Sequence, residues 1–175
     1  MDYGCGGGAP LAGVKKRFDL AEAAGVDISD YAIRKNKELF PECEFFTVDE
    51  FWKNNRRYDN ILSSHTFEHI ENPLLIAEKL LQNCKESFTI IVPCGDSWKD
   101  CEQHLWRFDR HSFDKLRPTF AVGGLTNWAG NSELIFHWAK NRKVSRLTLA
   151  LFRIRKQFKI SPSDLVKKIY LLITK

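Results

Sequence analysis

Long apolar runs are missing from the chain: none approaches the ~20 residues that a helix needs to cross a bilayer, and no cleavable leader precedes the glycines at residues 4–8. The cytoplasm is therefore the expected location. Cys5, Cys43, Cys84, Cys94 and Cys101 are odd in number and have no close metal-pair spacing. That pattern argues against a disulfide framework or a zinc ribbon and favours reduced thiols. Repeats and low-complexity tracts are absent too, and 175 residues with 43% hydrophobic and 28% charged side chains describe one globular domain. Acid is nearly missing from one region: between Lys140 and Lys175 eleven Lys or Arg stand against Asp164 alone. The overall charge of +5 thus belongs to this segment. The expected organisation is a core over residues 1–139 with a basic strand and helix extension of the same domain over 140–175.

What is present begins with Asp2-Tyr3-Gly4-Cys5-Gly6-Gly7-Gly8, a turn whose glycines let the backbone lie directly against a ligand. A plain surface loop also uses such glycines. A helix-compatible stretch follows over Ala9–Phe18, then the small apolar strand Ala23–Val26 ending in Asp27. Asp27 lies at the spacing from the last glycine expected of an acid that binds a ribose diol. A helix cap before Asp30–Leu39 is the alternative role, one that Ser29 could supply equally well. Short apolar runs recur at Glu44–Val48, Asn60–Ser63 and Ser87–Val92, with helical patterns such as Pro73–Cys84 between them. This alternation predicts an α/β fold, a doubly wound and mostly parallel sheet with helices on both faces. Only Met1, Asp2 and Tyr3 precede the glycine turn, against a usual strand of about five or six residues, so a truncated first strand is expected.

Asp2-x-Gly4-Cys5-Gly6-x-Gly8 followed by Gly25-Val26-Asp27-Ile28-Ser29 resembles the S-adenosylmethionine-dependent methyltransferases of Rossmann-like fold. Phe45-Phe46-Thr47-Val48-Asp49 is similar to their third strand, Tyr58–Ser64 to their fourth, and His65–Pro73 to the segment after it. The likeness is nearest to the branch of ubiquinone-pathway and sugar O-methyltransferases, which often carry a Glu-His pair where Glu68-His69 stands. The resemblance implies S-adenosylmethionine held by Asp2, Gly4, Cys5, Gly6, Gly8, Asp27, Ile28, Asp49 and Ser64, with Asp49 beside the adenine. It further implies O-methylation of a small-molecule or glycan acceptor, and an N-terminally shortened form, since family members tend to have one or two helices ahead of the first strand.

Methyl transfer of this kind depends chiefly on alignment, helped by a base if the acceptor is a hydroxyl. His65, Glu68 and His69 are the leading candidates, with His104 and His111 as alternatives further on. A helix starting near Thr66 would place His65 and His69 on one face, with Glu68 adjacent. A loop-bracing role for Glu68-His69 accounts for them as well. The same His-x-x-Glu-His string also matches an inverted zinc-protease motif, which makes a zinc hydrolase the rival reading. Some ubiquinone-pathway relatives place a divalent cation near this segment, and His65 stands where their first glutamate would be; no resident metal is assigned here. Arg107 or Arg110 would suit an acidic acceptor, while Trp98, Trp106, Trp128 and Trp138 read as core or pocket wall. In the basic segment, Leu147–Arg155 reads as an antiparallel edge strand and Leu165–Ile173 as an amphipathic helix. Its charge is explained by a solvated face, by peripheral contact with anionic lipid, or by nucleic acid. Nucleic-acid methylation is accordingly the second functional reading, although the chain lacks the Asp/Asn-Pro-Pro-Tyr signature; a non-catalytic methyltransferase-like subunit is the third.

Overall fold

In a computed structural model, which describes residues 1–94, 102–126 and 132–140, alternating strands and helices form a single seven-stranded sheet. The elements are β1 (Asp2–Tyr3), α1 (Ala9–Phe18), β2 (Ala24–Asp27), α2 (Asp30–Leu39), β3 (Glu44–Thr47), α3 (Val48–Asn54), β4 (Tyr58–Ser64), α4 (Pro73–Asn83), β5 (Cys84–Pro93), β6 (Phe120–Thr126) and β7 (Ser132–Ala139). The spatial order is β3-β2-β1-β4-β5-β7-β6, parallel through β5, with β7 antiparallel to both its neighbours.

Local chemistry explains the boundaries. Ser29 caps α2, its hydroxyl accepting from the Ala32 N–H at 3.2 Å. A reciprocal capping box between Thr47 and Glu50 opens α3. Because that box stops β3 at Thr47, Asp49 sits exposed in the first turn of a helix and not at the end of a strand. Asn72 caps α4, with Pro73 at its start. The helix expected from Thr66 is a single 3-10 turn over Phe67–His69. His65 has a positive φ of 53°, which breaks helical continuity before it begins.

Strand alternation separates two cores on opposite faces of the sheet. Ala24 and Val26 face one that contains Phe51, Phe67, Ala77 and Leu80, thereby receiving α3 and α4. Ala23 and Phe45 face the other with Leu11, Ala12 and Ile33, which come from α1 and α2. The doubly wound arrangement with helices on both faces is therefore present. In the larger core Phe113 stacks on Phe108 at 5.4 Å and meets Phe136 edge-on at 4.8 Å, which anchors the segment after β5. Each such fully buried ring contributes roughly 1.5–3 kcal/mol.

β1 contributes two residues at the centre of the sheet, as the sequence predicts. It is held there by Ser63, whose buried hydroxyl donates to the Tyr3 carbonyl at 2.7 Å, and by the Leu62 N–H on the Met1 carbonyl at 2.9 Å. After β5 a 3-10 turn covers Asp114–Leu116. Among the described residues the antiparallel edge is β6; the strand and helix expected over 147–155 and 165–173 lie outside the described residues. Among the described residues no helix is long and apolar enough to cross a membrane.

Candidate active site

The glycine turn follows β1 directly. Gly4, Gly6 and Gly8 all have positive φ, at 86°, 49° and 71°, a conformation that costs other L-residues about 1–2 kcal/mol. The N–H groups of Gly4 and Cys5 both donate to the Val26 carbonyl, at 2.7 and 3.0 Å, tying the turn to β2. A Cβ at Gly4 would stand 2.0 Å from Thr66 Oγ1, and one at Gly8 2.8 Å from Asn36 Cγ. These two glycines are required by the protein's own packing. Gly6 and Gly7 differ, for a Cβ at either meets nothing within 4 Å, and this open side is where a ligand can approach the backbone.

Asp27 is joined to the turn. Its Oδ2 accepts from the Gly6 N–H at 2.8 Å and its Oδ1 from the Ser29 N–H at 3.0 Å, so the carboxylate bridges the glycine turn and the start of α2. Each oxygen keeps a lone pair for a further donor. Asn36, 1% exposed on α2, donates to the Gly6 carbonyl at 2.8 Å from beneath. Ile28 is 86% exposed, beside Asp27 in sequence. Burial pushes the Cys5 thiol up to about 12, which leaves it an inert packing group with its sulfur against Gly25. Burial also raises Asp2 to about 6; its side chain lines a groove of about 750 Å³ with Pro10, Val14, Leu62 and Thr89. Ser64 closes β4, and its carbonyl accepts from the Thr66 hydroxyl at 3.2 Å.

The histidines divide into two sets. His65 Nε2 lies 2.9 Å from Glu133 Oε1 on β7, and His65 Nδ1 lies 3.5 Å from Glu68 Oε1. The hydrogen bond that His65 makes to Glu133, then its longer ionic contact with Glu68, raises His65 to about 9 against the opposing effect of its burial. At neutral pH this favours the imidazolium, so His65, one of the candidate bases, is set up as a donor. His69 turns elsewhere: its Nδ1–H donates to the Gln103 carbonyl at 3.1 Å, and its ring centre is 5.0 Å from that of His104. One ligating atom from each of Glu68, His69 and His104 falls within 4.8 Å of the others. Glu68 is 1% exposed, and neither of its carboxylate oxygens has a hydrogen bond.

The His-x-x-Glu-His string consequently does not form the paired-histidine face that a zinc protease needs, because a 3-10 turn replaces the helix and Glu133 holds His65. The segment 103–106 is docked onto the turn by the Leu105 N–H on the Glu68 carbonyl at 2.7 Å and by Trp106 Nε1 on the Ile70 carbonyl at 2.8 Å. Trp106 is 43% exposed, a surface wall, whereas Trp138 is buried and stacked on Phe88 at 5.2 Å. His111 pairs with Asp114 at 2.9 Å, outside the cluster. Trp98 and Trp128 lie outside the described residues.

Sequence reasoning missed Asn36, Thr66 and Glu133. Asn36 left a signal, a polar residue one helical turn after Ile33 on the buried face of α2. Glu133 left none, since its partner lies 68 positions away.

A family model described as a methyltransferase domain matches residues 1–128. Among solved structures, the plantazolicin methyltransferase BpumL in complex with a pentazolic desmethylPZN analog and SAH is 30% identical, with a TM-score of 0.50 over 57% of this chain and 40% of that one. The chain thus spans less than half of that relative. A structure of BpumL with SAH aligns at 18% identity and a TM-score of 0.62, over 79% of this chain and 74% of that one. Magnesium protoporphyrin IX methyltransferase (ChlM) from Synechocystis PCC 6803 with bound SAH aligns at 15% identity and 0.61, over 78% and 71%. These last two likenesses show the fold. No curated protein matches the chain.

Proposed function

The chain belongs to the methyltransferase domain family, and from that premise we propose that it binds S-adenosylmethionine across the glycine turn and methylates a hydroxyl of a small-molecule or glycan acceptor. The observation that carries this reading is the Gly6 N–H bound to Asp27 Oδ2 at 2.8 Å beneath an open backbone surface. That bond aligns the ribose-binding acid with the one stretch of the turn free for close approach. The SAH in the BpumL and ChlM structures supports the choice of donor.

When bound, the donor supplies a methyl group activated on a sulfonium. The chain's own residues do the rest. Asp27 accepts from the ribose hydroxyls with its remaining lone pairs, and Ile28 covers the adenine with Asp49 at the ring's edge. Gly4, Gly6 and Gly8 keep the backbone low enough for contact, while Cys5 serves by packing. Asp2 and Ser64 border the donor's methionine end. The acceptor hydroxyl approaches Glu68, His69 and His104, whose converging atoms receive its proton, while the cationic His65 fixes the end of β4 against β7. The basic residues 140–175 extend the same domain; the nucleic-acid reading depends on them, and 141–175 lie outside the described residues.

Calorimetric titration with S-adenosylmethionine and then S-adenosylhomocysteine tests the proposal. Micromolar binding of both, weakened in Asp27→Ala, is expected. A folded chain that binds neither overturns the donor assignment and favours the non-catalytic subunit.

A further inference from the structure

We propose that the sheet face beside α1 is the docking site for this chain's own residues 165–173, which return from the end of β7 and lie along the groove there with their apolar side inward. One wall of this groove is Pro10, Val14 and Phe18 of α1, and its floor includes Leu62 on β4 and Thr89 on β5. Strand alternation sets the floor, since Ile61, Phe88 and Ile90 point into the larger core on the opposite face. The helices of the groove's face, α1 and α2, pack with Ala23 and Phe45. Val14 and Leu62, both lining the groove, remain 37% and 39% exposed.

The same face continues from Thr89 onto β7 and β6. Thr89 Oγ1 lies 2.9 Å from His137 Nδ1, and Phe120 stacks on the His137 ring at 4.9 Å. Phe120, Ile135 and His137 are only 8%, 6% and 5% exposed. Phe120 belongs to the edge strand, where one neighbouring strand alone leaves the outer side of a ring open to water. Among the described residues, Ile91 and Val122 pack against Phe120 and Ile135, and no helix joins that cluster. Residues 95–101 and 127–131 depart from the other end of these strands, where Pro93 pairs with Glu133 and Thr126 with Ser132. Residue 141 departs from the end where Phe120 pairs with His137 and Ser87 with Ala139.

That point of departure adjoins the groove. The Lys140 N–H donates to the Glu86 carbonyl at 3.0 Å, and the residues on either side of Glu86, Lys85 and Ser87, both line the groove. The stretch 141–164 can extend to roughly 80 Å, ample to turn back. On a helix Leu165, Val166, Ile169, Leu172 and Ile173 share one side, with Lys167, Lys168 and Lys175 turned away from it. Length agrees as well: at 1.5 Å per residue, Pro10 to Phe18 spans about 12 Å and Leu165–Ile173 about 13 Å. Charge drives the return, because residues 1–139 hold sixteen Lys or Arg against twenty-one Asp or Glu, a net −5, while 140–175 carry +10. Docked in this way, the segment buries its apolar side and keeps its lysines in water.

The full chain would be digested with limiting trypsin, and cleavage after Lys167 and Lys168 followed by mass spectrometry. Val14→Asp on the groove wall and Ile173→Asp in the segment should each speed that cleavage at least tenfold, with circular dichroism confirming the fold. Leu75→Asp, at a residue 43% exposed on α4 across the sheet, should leave the rate unchanged. The native rate should also stay constant over a hundredfold dilution of the protein. Cleavage as fast in the native chain as in Ile173→Asp overturns the proposal. So does a native rate in folded Val14→Asp, which would place the segment elsewhere, or protection lost on dilution, which would give the groove to a second copy of the chain.

Discussion

The proposed donor end and the acceptor end of the sheet lie side by side but are built by different means. At the donor end the backbone does most of the work: two N–H groups share the Val26 carbonyl, three glycines take positive φ, and Asp27 and Asn36 each grip Gly6. At the acceptor end side chains distant in sequence carry the geometry, His65 with Glu133 on antiparallel β7 and His69 with the segment at Gln103–His104. The first arrangement is steric and fails abruptly when an atom is added. The second is electrostatic and half exposed, so it fails gradually.

The largest expected effect follows from the steric end. Gly4→Ala brings a Cβ to 2.0 Å from Thr66 Oγ1 at a φ of 86°. Combined clash and backbone strain should cost about 3 kcal/mol or more in urea denaturation. Adding Thr66→Ala should recover part of the steric share and none of the strain, since the Thr66 Cβ itself stands 2.7 Å from the added carbon. Gly6→Ala, with nothing within 4 Å of its Cβ, should cost about 1 kcal/mol from φ alone. Equal losses in Gly4→Ala and Gly6→Ala would show that packing against Thr66 does not set the turn.

A comparable effect should appear with pH, and with opposite sign at two buried groups. His137 on β7 is 5% exposed, lies 2.9 Å from Thr89 Oγ1, and is pushed down to about 4 by burial. The folded chain keeps it neutral while the unfolded chain protonates it below about 6.5. Its contribution is therefore complete above that pH and is lost as pH falls toward 4, by up to about 3 kcal/mol. Asp2 in β1, raised to about 6 by burial, acts the other way: the folded state holds its proton where the unfolded state has released it, so stability falls as pH rises toward 6. In thermal melts between pH 4 and 6.5, His137→Gln should remove the acid-side loss and expose the Asp2 slope. An unchanged profile would mean that His137 titrates normally.

The same contrast explains what the sequence revealed. The glycine turn, Asp27 and the β–α alternation were legible because each is fixed by residues near one another in the chain, through φ preference, apolar period and cap chemistry. The apolar run Glu44–Val48 overshoots β3 by one residue and the likeness carries it on to Asp49, because neither sees the Thr47–Glu50 capping box that turns Val48 and Asp49 into a helix. The helix expected from Thr66 is cut to one 3-10 turn where non-local partners intervene: Glu133 on β7 holds His65, and the Gln103 carbonyl takes His69. Strands β6 and β7 lacked a clear punctuated pattern, Ser132–Ala139 being almost continuously apolar, as suits a strand buried between two neighbours.

Asp27→Ala comes next in size. Loss of a carboxylate that accepts ribose hydroxyls should weaken S-adenosylmethionine by about 2 kcal/mol, roughly thirtyfold in Kd by calorimetry. Because the same carboxylate accepts from Gly6 and Ser29, folding stability should drop by about 1 kcal/mol as well. Asp27→Asn, retaining acceptor capacity without charge, should restore more stability than affinity. If affinity and stability fell in fixed proportion, the residue would only brace the turn.

The smallest effect is expected from Glu133→Gln, which cuts the link between the two ends without adding bulk. His65 and Glu133 are 42% and 16% exposed, and a pair so accessible to water contributes about 1 kcal/mol or less. The global melting temperature should scarcely move. The local consequence should be visible by hydrogen exchange: amides at His65–His69 lose protection because the positive-φ turn at His65 is no longer held from β7, while Gly4–Gly8 stay protected by the Val26 carbonyl and Asp27. If both segments loosen together, the turn and the histidine segment form one unit through Thr66 against Gly4, and electrostatics at the acceptor end would then govern the donor end as well.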